Sequence, residues 1–258
     1  MKHSIENFLK YRFLLMELVK KGVKLKYRRS YLGIIWTLLE PLLTMIVLTV
    51  VFGTLFGNTD KSFPVYILTG RLLYSFFSQA TSGALKSIQS NAAMIKKVYV
   101  PKYLYPLANV LFNFVIFLLS LIVLIAVSLV LGVYPTWSTL LLIIPLITIL
   151  LFSFGVGMIL ATVGVYFRDM EYLWSVALML VMYSCAIFYY PDVILNSKFA
   201  WILKFNPLYR IIECFRATIF GTAINVKGMV YAFGFSVVTI IIGLILFKKK
   251  QDNFILHI

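Results

Sequence analysis

Residues 106–131, PLANVLFNFVIFLLSLIVLIAVSLVL, form a continuous apolar stretch without a charged side chain. As an α-helix rising about 1.5 Å per residue, the stretch is long enough to cross the roughly 30 Å hydrocarbon core of a bilayer. The whole chain agrees, since 62% of its 258 residues are hydrophobic and 13% are charged, whereas soluble domains carry about 25% charged residues. The sequence therefore predicts an all-α integral membrane protein.

Five further apolar stretches bring the number of predicted transmembrane helices to six. The six segments are 36–56, 65–85, 106–131, 139–165, 172–190 and 228–247. Basic residues concentrate before the first span, between the second and third spans, and after the last span. Because loops rich in Lys and Arg stay on the cytoplasmic side, both termini are predicted to be cytoplasmic. Apolar stretches separate the basic residues, so the net charge of +15 indicates topology rather than nucleic-acid binding.

Residues 1–35 are predicted to form a cytoplasmic amphipathic interfacial helix, followed by a six-span domain at 36–258. Within 5–29, apolar and charged residues with helical spacing occupy different sides. The apolar side comprises Phe8, Leu15, Val19 and Val23, and the charged side comprises Lys10, Glu17, Lys21, Lys24 and Arg28. The pattern leaves open a lipid anchor or a basic surface for a protein partner. We expect no secretory signal, because the first long apolar stretch begins only after residue 35.

Residues 191–227 contain two apolar arms, 199–205 and 208–220, and neither is long enough to span a bilayer. Asn206-Pro207 lies between the arms, where proline breaks a continuous helix. We expect a re-entrant helical hairpin on the outer side, with a cavity open to the outside. The second arm has an apolar stripe of Leu208, Ile211, Ile212, Phe215 and Ile219, and its other side carries Arg210, Glu213 and Arg216. An interfacial helix with a solvated charged face is the alternative.

Residues typical of enzyme chemistry are scarce. The only two histidines, His3 and His257, lie at the chain ends, so we expect neither a histidine base nor a metal site. The sequence lacks a G-x-x-x-x-G-K-[ST] phosphate-binding loop, so energy for transport would come from an ion gradient or from another subunit. Within the predicted spans, Glu40 and Arg71 lie close enough to an end to reach the interface. The scarcity of buried carboxylates disfavours gradient-driven transport.

Three cytoplasmic segments together resemble one known family. The first is KYRRSYLGIIW at 26–36 followed by EPL at 40–42, the second is IKKVYVPK at 95–102, and the third is YFRD at 166–169. In this order, with a broken hairpin before the last span, they resemble the permease subunit of polysaccharide-exporting ABC transporters. That family exports O-antigen, capsule, teichoic acid and related cell-wall polymers, and the resemblance covers nearly the whole chain.

The resemblance implies a homodimer of six-span permeases in the bacterial cytoplasmic membrane, clasped by two copies of a separate cytoplasmic ATPase. ATP and Mg²⁺ would be bound by that ATPase, and this chain would bind no cofactor and catalyse no reaction. Surrounded by membrane lipids, the two permeases would conduct a lipid-linked polysaccharide or a teichoic-acid-like polymer between them. An ABC exporter of drugs or small lipids and a gradient-driven transporter are the alternatives.

The same resemblance implies that a short helix in the loop 86–105 docks into a groove of the ATPase. The docking residues would be Asn91, Met94, Ile95, Lys96, Lys97, Val98, Tyr99 and Pro101, with Asn91 able to cap the helix. A solvated connector kept basic for topology is the alternative. The connection from the interfacial helix to the first span comprises Arg28, Arg29, Ser30, Gly33 and Trp36, with Gly33 permitting a close turn.

Charged residues between the fourth and fifth spans are interpreted as a cytoplasmic gate. They are Arg168, Asp169 and Glu171, of which Asp169 could also cap the fifth helix. The hairpin residues assigned to the site are Asn206, Pro207, Arg210, Glu213 and Arg216.

Aromatic residues make up 16% of the chain and are candidates for the polymer path, because sugar rings slide over aromatic faces without being fixed. The candidates are Phe52, Phe56, Tyr66, Tyr74, Phe77, Tyr183 and Phe188. Packing in the core or at the membrane interface is the alternative.

Overall fold

The computed structural model describes residues 2–28, 31–57, 60–98 and 100–257, and the side chains of these residues except 2–10, 27 and 257. The expectations for Arg29, Ser30 and Tyr99 therefore lie outside the described residues. Within these ranges the structure is helical and contains no β-strand. The helices are α1 (Lys2–Tyr27), α2 (Trp36–Leu55), α3 (Phe63–Ser90), α4 (Ala92–Lys97), α5 (Leu104–Val130), α6 (Ile143–Tyr166), α7 (Met170–Ser184), α8 (Asp192–Leu195), α9 (Ala200–Phe205), α10 (Pro207–Phe220), α11 (Val226–Lys250) and α12 (Phe254–His257). Short 3-10 helices cover Gly33–Ile35, Trp137–Leu142 and Gln251–Asn253.

Four helical segments in the described part of the chain are long and apolar enough to cross a membrane. They are Gly33–Leu55, Leu104–Val130, Trp137–Tyr166 and Val226–Leu256, and they correspond to the first, third, fourth and sixth predicted spans. The fifth predicted span overlaps α7, which has only 15 residues. The second lies within α3, which has 28 residues but carries Arg71 and Lys86. Length and composition alone thus give a multi-span membrane protein with four spans.

Helix α3 lies in the centre of the bundle, where α2, α5, α6, α7 and α10 all contact it. Phe77 of α3 stacks on Phe152 of α6 with ring centroids 5.0 Å apart. On another side, Phe76 stacks on Phe117 of α5 at 5.2 Å. Because protein rather than lipid surrounds α3, its polar residues need not be replaced by apolar ones. This position explains why hydropathy alone does not identify α3 as a span.

Helices α6 and α11 run side by side with their backbones in close contact. A Cβ atom added to Gly155 would lie 2.6 Å from Thr239 Oγ1 and 2.7 Å from the Ile240 nitrogen. A Cβ atom on Gly243 of α11 would lie 2.8 Å from the Gly155 carbonyl oxygen. Small residues therefore allow this approach, as they do in other membrane helix pairs. The contact joins two helices of one chain.

Candidate functional site

Helix α4 of the loop 86–105 is attached to the bundle by one side only. Ile95 is buried, with 7% of its side chain exposed, in a cluster that includes Leu15 of α1, Leu104 of α5 and Phe254 of α12. Met94 packs against the same cluster and is partly buried. The exposed residues at the end of α4 are Lys96, Lys97 and Val98. Of the residues expected to contact an ATPase, these three remain available, whereas Ile95 holds the helix in place.

Asn91 does not cap α4 with its side chain, contrary to the expectation from the sequence. Its side-chain Nδ2 donates to the Ser87 carbonyl at 2.8 Å, and its backbone carbonyl accepts from the Met94 and Ile95 nitrogens at 3.0 Å. Asn91 follows the last residue of α3, so its amide serves the free carbonyls of that helix instead. Pro101 is partly buried and its carbonyl accepts from the Leu104 nitrogen at 3.1 Å, which begins α5.

The C-terminal helix α12 braces the segment that follows α4, a contact that the sequence analysis missed. Phe254 is fully buried and lies edge-on to Phe247, with ring centroids 5.2 Å apart. Lys102 Nζ donates to the Gln251 carbonyl. Burial lowers the pKa of the Lys102 ammonium, and nearby Asp252 opposes this shift. The signal in the sequence is the apolar group Phe254-Ile255-Leu256, which follows a basic run that should end the last span.

Helix α1 packs along α5, so protein covers part of its apolar side. Leu15 is buried and Val19 is partly buried in the same inner cluster, and a Cβ atom on Gly22 would lie 2.9 Å from the Phe112 ring. At the end of α1, Arg28 is exposed. Gly33 has a φ of +49°, which confirms the close turn because this conformation favours glycine. Trp36 begins α2 and is 43% exposed.

The predicted gate residues do not pair with one another among the described side chains. Glu171 forms an ion pair with Lys86 of α3, and both side chains are about half exposed. Asp169 occupies the N-cap position of α7 but makes no side-chain cap hydrogen bond, and Arg168 is exposed. The charge pair at this end therefore links α7 to the central helix α3.

The break at Asn206-Pro207 begins α10 as a capped helix. Asn206 Oδ1 accepts from the Leu208 and Tyr209 nitrogens at 3.0 and 3.3 Å, which is a favourable N-cap. Its Nδ2 donates to Ser184 Oγ at 3.1 Å, which ties α10 to the end of α7. Pro207 takes the first position of α10, where a missing N–H has no cost.

Arg216 points into the bundle, whereas the sequence places it on the charged side of α10. It is 6% exposed and its guanidinium lies 3.4 Å from the centre of the Tyr66 ring. It donates to the carbonyls of Ala186 at 2.9 Å and Tyr66 at 3.1 Å. Because Arg216 borders the buried stripe of α10, neighbouring elements cover it. Arg210 and Glu213 form an ion pair at 2.9 Å on the more exposed side of α10.

Four of the aromatic candidates form a continuous row near the C-terminal ends of α2 and α7. Phe52 stacks between Phe56 and Phe188, with centroid distances of 6.0 and 4.9 Å. Tyr183 then meets Phe188 edge-on at 6.3 Å. The two ends of the row, Phe56 and Tyr183, are 52% and 55% exposed. This aromatic row, residues 52, 56, 183 and 188, offers two accessible rings supported by two inner ones.

The other three aromatic candidates are buried and serve packing. Tyr66 and Tyr74 are 8% and 7% exposed, and Phe77 is 2% exposed. The Tyr66 hydroxyl donates to the Tyr189 carbonyl at 3.0 Å, and the Tyr74 hydroxyl donates to the Leu178 carbonyl at 2.9 Å. Tyr66 and Tyr74 hold α3 against α7 and the segment that follows it, and Phe77 packs against α6, so none of the three rings lines an open surface.

In the described part of the chain, no group of three or more His, Cys, Asp or Glu side chains could hold a metal ion. The site as a whole consists of exposed basic residues at one end and an aromatic row towards the other.

Comparison with known proteins identifies the family. Residues 14–220 match the family model of the ABC-2 type transporter. The chain is 31% identical over 247 residues to the O-antigen export system permease protein RfbA of Klebsiella pneumoniae, and the alignment covers 93% of both chains. It is 25% identical over 242 residues to the polysialic acid transport protein KpsM of Escherichia coli, covering 90% and 91% of the two chains. The family match extends from α1 to the end of α10, and the chain belongs to the ABC-2 type transporter family.

Proposed function

We propose that this chain is the transmembrane permease subunit of an ATP-driven exporter that moves a lipid-linked polysaccharide or a teichoic-acid-like polymer across the bacterial cytoplasmic membrane. The observation that carries the proposal is the match with O-antigen export permeases over 93% of both chains. Such a match includes the outer hairpin and the inner loops as well as the spans. Relatives named for polysialic acid and capsule export favour a polymer over a drug or a small lipid.

Six spans are part of this proposal, with α3 and α7 added to the four apolar ones. Helix α7 lies antiparallel to α3, from the Lys86–Glu171 ion pair to the hydrogen bond between Tyr74 and Leu178 and beyond. Its 15 residues cover about 22 Å, and the buried segment 185–188 extends it. Residues 191–227 then form the re-entrant hairpin. The domain division is 1–35 for the interfacial helix and 36–258 for the six spans.

The cytoplasmic end of the molecule is assigned to the side that carries α4, where the ATPase would bind. Helix α12 contacts α4, so the basic end of α11 and the docking loop lie at the same end. Both termini are then cytoplasmic, in agreement with the positive-inside rule. Two ATPase copies would bind two permease copies through Lys96, Lys97 and Val98, and would supply ATP and Mg²⁺. The proposal includes no cofactor on this chain and no nucleic acid.

The polymer path is assigned to the aromatic row. The exposed rings of Phe56 and Tyr183 can stack on the C–H faces of sugars while the inner rings keep them in place. With a second copy of the chain opposite, two such rows would flank the polymer. Weak stacking suits conduction, because a polymer must be released from each position as easily as it binds.

A double charge reversal tests the proposal. Lys96→Glu with Lys97→Glu changes only exposed side chains, so the permease should fold while losing its ATPase partner. The matched control is Lys248→Glu with Lys249→Glu, two exposed lysines that end α11. The measurements are co-purification of an ATPase from the native host and surface polymer in cells that lack the endogenous permease.

We expect the Lys96/Lys97 variant to lose both the ATPase and the surface polymer, and the control to keep both. Recovery of a folded wild-type permease without an ATPase, and without polymer at the surface, would refute the exporter assignment. In that case a gradient-driven transporter becomes the better hypothesis. Export of a drug or a small lipid without polymer would favour the other alternative.

A further inference from the structure

A polar cleft lies between the faces of α2, α3 and α5, with Lys26 of α1 at one end. We call it the Arg71 cleft. Along α3 the lining follows one helix face, since Arg71, Ser75 and Gln79 are spaced by four residues. Further polar lining comes from α2, with Thr37, Glu40 and Thr44, and from α5, with Asn113 and Ser120. A cleft with two cations and one carboxylate is unusual between helices whose other faces are apolar.

The charges at one end of the Arg71 cleft balance each other. Lys26 Nζ donates to Gln79 Oε1 at 2.8 Å. Burial lowers the pKa of the Lys26 ammonium, and the charge of Glu40 opposes the shift. Lys26 and Glu40 carry opposite charges at this end of the cleft. Arg71 lies two helical turns away from Gln79 and is left as the net charge of the cleft.

Arg71 has no carboxylate partner among the described side chains. The ion pairs in those ranges join Glu17 with Lys20, Lys86 with Glu171, and Arg210 with Glu213. The Arg71 guanidinium instead lies 3.9 Å from the Met182 sulfur and 5.9 Å from the centre of the Tyr74 ring. Sulfur and an aromatic ring are weak partners for a group with five N–H donors. The guanidinium thus has free capacity for an anion.

In the proposed six-span arrangement, Arg71 lies within the span formed by α3, deeper than the interface position expected from the sequence. It lies eight residues after the start of α3, which corresponds to about 12 Å of helix. In the other direction, 15 residues, or about 22 Å, separate it from Lys86, whose ion pair is half exposed. An anion that reaches Arg71 from the bilayer must therefore be attached to a lipid.

The outer surface of α2 supports entry from the bilayer. Val47 and Val50 are 60% and 61% exposed, next to the face of α2 that lines the Arg71 cleft. A hydrocarbon chain can lie along this apolar surface while its polar head enters between the helices. Ser75 Oγ accepts from Gln79 Nε2 at 2.9 Å and keeps its own hydrogen to donate to a head group, whereas Asn113 Nδ2 already donates to Asn109.

We propose that the Arg71 cleft binds the phosphate or diphosphate group of the lipid that carries the polymer, with Arg71 as the direct ligand. The inference rests on the proposed export of a lipid-linked substrate. Guanidinium and phosphate match in geometry, and a pair of charge-assisted hydrogen bonds can form between them. The lipid chain would remain outside, along α2.

Direct binding to the purified permease–ATPase complex in phosphatidylcholine nanodiscs tests the site. The probes are undecaprenyl diphosphate, undecaprenol and phosphatidylglycerol, each added at increasing concentration and detected by native mass spectrometry. The variants are Arg71→Gln and Arg71→Lys. Arg12→Gln is the matched control, because Arg12 is an exposed arginine of α1 outside the cleft.

For the wild-type complex we expect undecaprenyl diphosphate to bind about tenfold or more tightly than the alcohol or the phospholipid, which corresponds to about 1.4 kcal/mol or more. Arg71→Gln should remove this preference and Arg71→Lys should retain part of it, because a lysine keeps the charge but not the paired donors. Arg12→Gln should bind as the wild type does.

Unchanged preference in Arg71→Gln would overturn the proposal, and so would equal binding of all three probes by the wild type. If phosphatidylglycerol competes equally with the diphosphate, the cleft is a site for bilayer phospholipid and the carrier assignment is wrong. Surface polymer, measured separately in cells, shows whether the proposed function itself holds. If the wild type exports polymer but Arg71→Gln binds undecaprenyl diphosphate as tightly as the wild type does, this inference is wrong and the proposed function still holds.

Discussion

Removing the buried guanidinium of Arg216 should open the outer hairpin. Arg216→Gln loses donors to the carbonyls of Ala186 and Tyr66 and the contact with the Tyr66 ring at 3.4 Å. The Ala186 carbonyl then keeps only the Tyr66 hydroxyl, and the Tyr66 carbonyl keeps the Thr69 hydroxyl, as side-chain donors. Hydrogen bonds to a charged group contribute about 1.5–3 kcal/mol to stability. The expected loss of hairpin stability is of that size.

Two buried cysteines report this opening directly. Cys185 lies in the turn that Arg216 holds, Cys214 lies on α10 itself, and the chain contains no other cysteine. They are 0% and 3% exposed and unpaired. A thiol-reactive dye in mild detergent can label them only when the hairpin opens. If opening equilibrates faster than labelling, a loss of about 1.5–3 kcal/mol raises the labelling rate by about 10 to 10².

The matched control is Arg210→Gln on the more exposed side of the same helix. The paired side chains of Arg210 and Glu213 are 17% and 32% exposed. Loss of this ion pair should therefore raise the labelling rate much less than loss of a buried group. Cys185→Ser and Cys214→Ser backgrounds assign the labelled thiol. A labelling rate of Arg216→Gln within about threefold of wild type, a difference below 1 kcal/mol, would refute the role of Arg216.

Two further predictions concern packing at the inner end and between α6 and α11. Phe254→Ala should cost about 3–5 kcal/mol of local stability, and it should lower polymer-stimulated ATP hydrolysis because α4 loses its support. Leu256→Ala is the control, since this residue is 80% exposed and its loss should change neither quantity. Equal ATP hydrolysis in the two variants would contradict the prediction. Gly155→Val should reduce the yield of folded, monodisperse protein, because its side chain would meet the backbone of Thr239 at 2.8 Å. Gly234→Ala, with no atom within 4 Å of the added Cβ, is the control, and equal yields of the two variants would show that the close contact is not required.

Local sequence determined most of the helix positions. The long apolar stretch 106–131 coincides closely with α5, and the proline at 207 coincides with the break between α9 and α10. These features depend on neighbouring residues, through hydropathy and through the missing N–H of proline. The family resemblance was also visible in the sequence, because the order of the three motifs at 26–42, 95–102 and 166–169 does not depend on any tertiary contact.

The tertiary structure decided which side of each helix is covered. The sequence marks Ile95 as a docking residue, places Arg216 on the charged side of α10 and marks Tyr66 as a path residue, but the structure buries all three. It also brings α12 against α4, although more than 150 residues of chain separate them. The physical reason is that lipid and protein interior are both apolar, so hydropathy cannot distinguish a face that contacts lipid from one that contacts another helix. That distinction depends on segments far apart in sequence, and it separates the rings that can touch a polymer from those that only hold the bundle together.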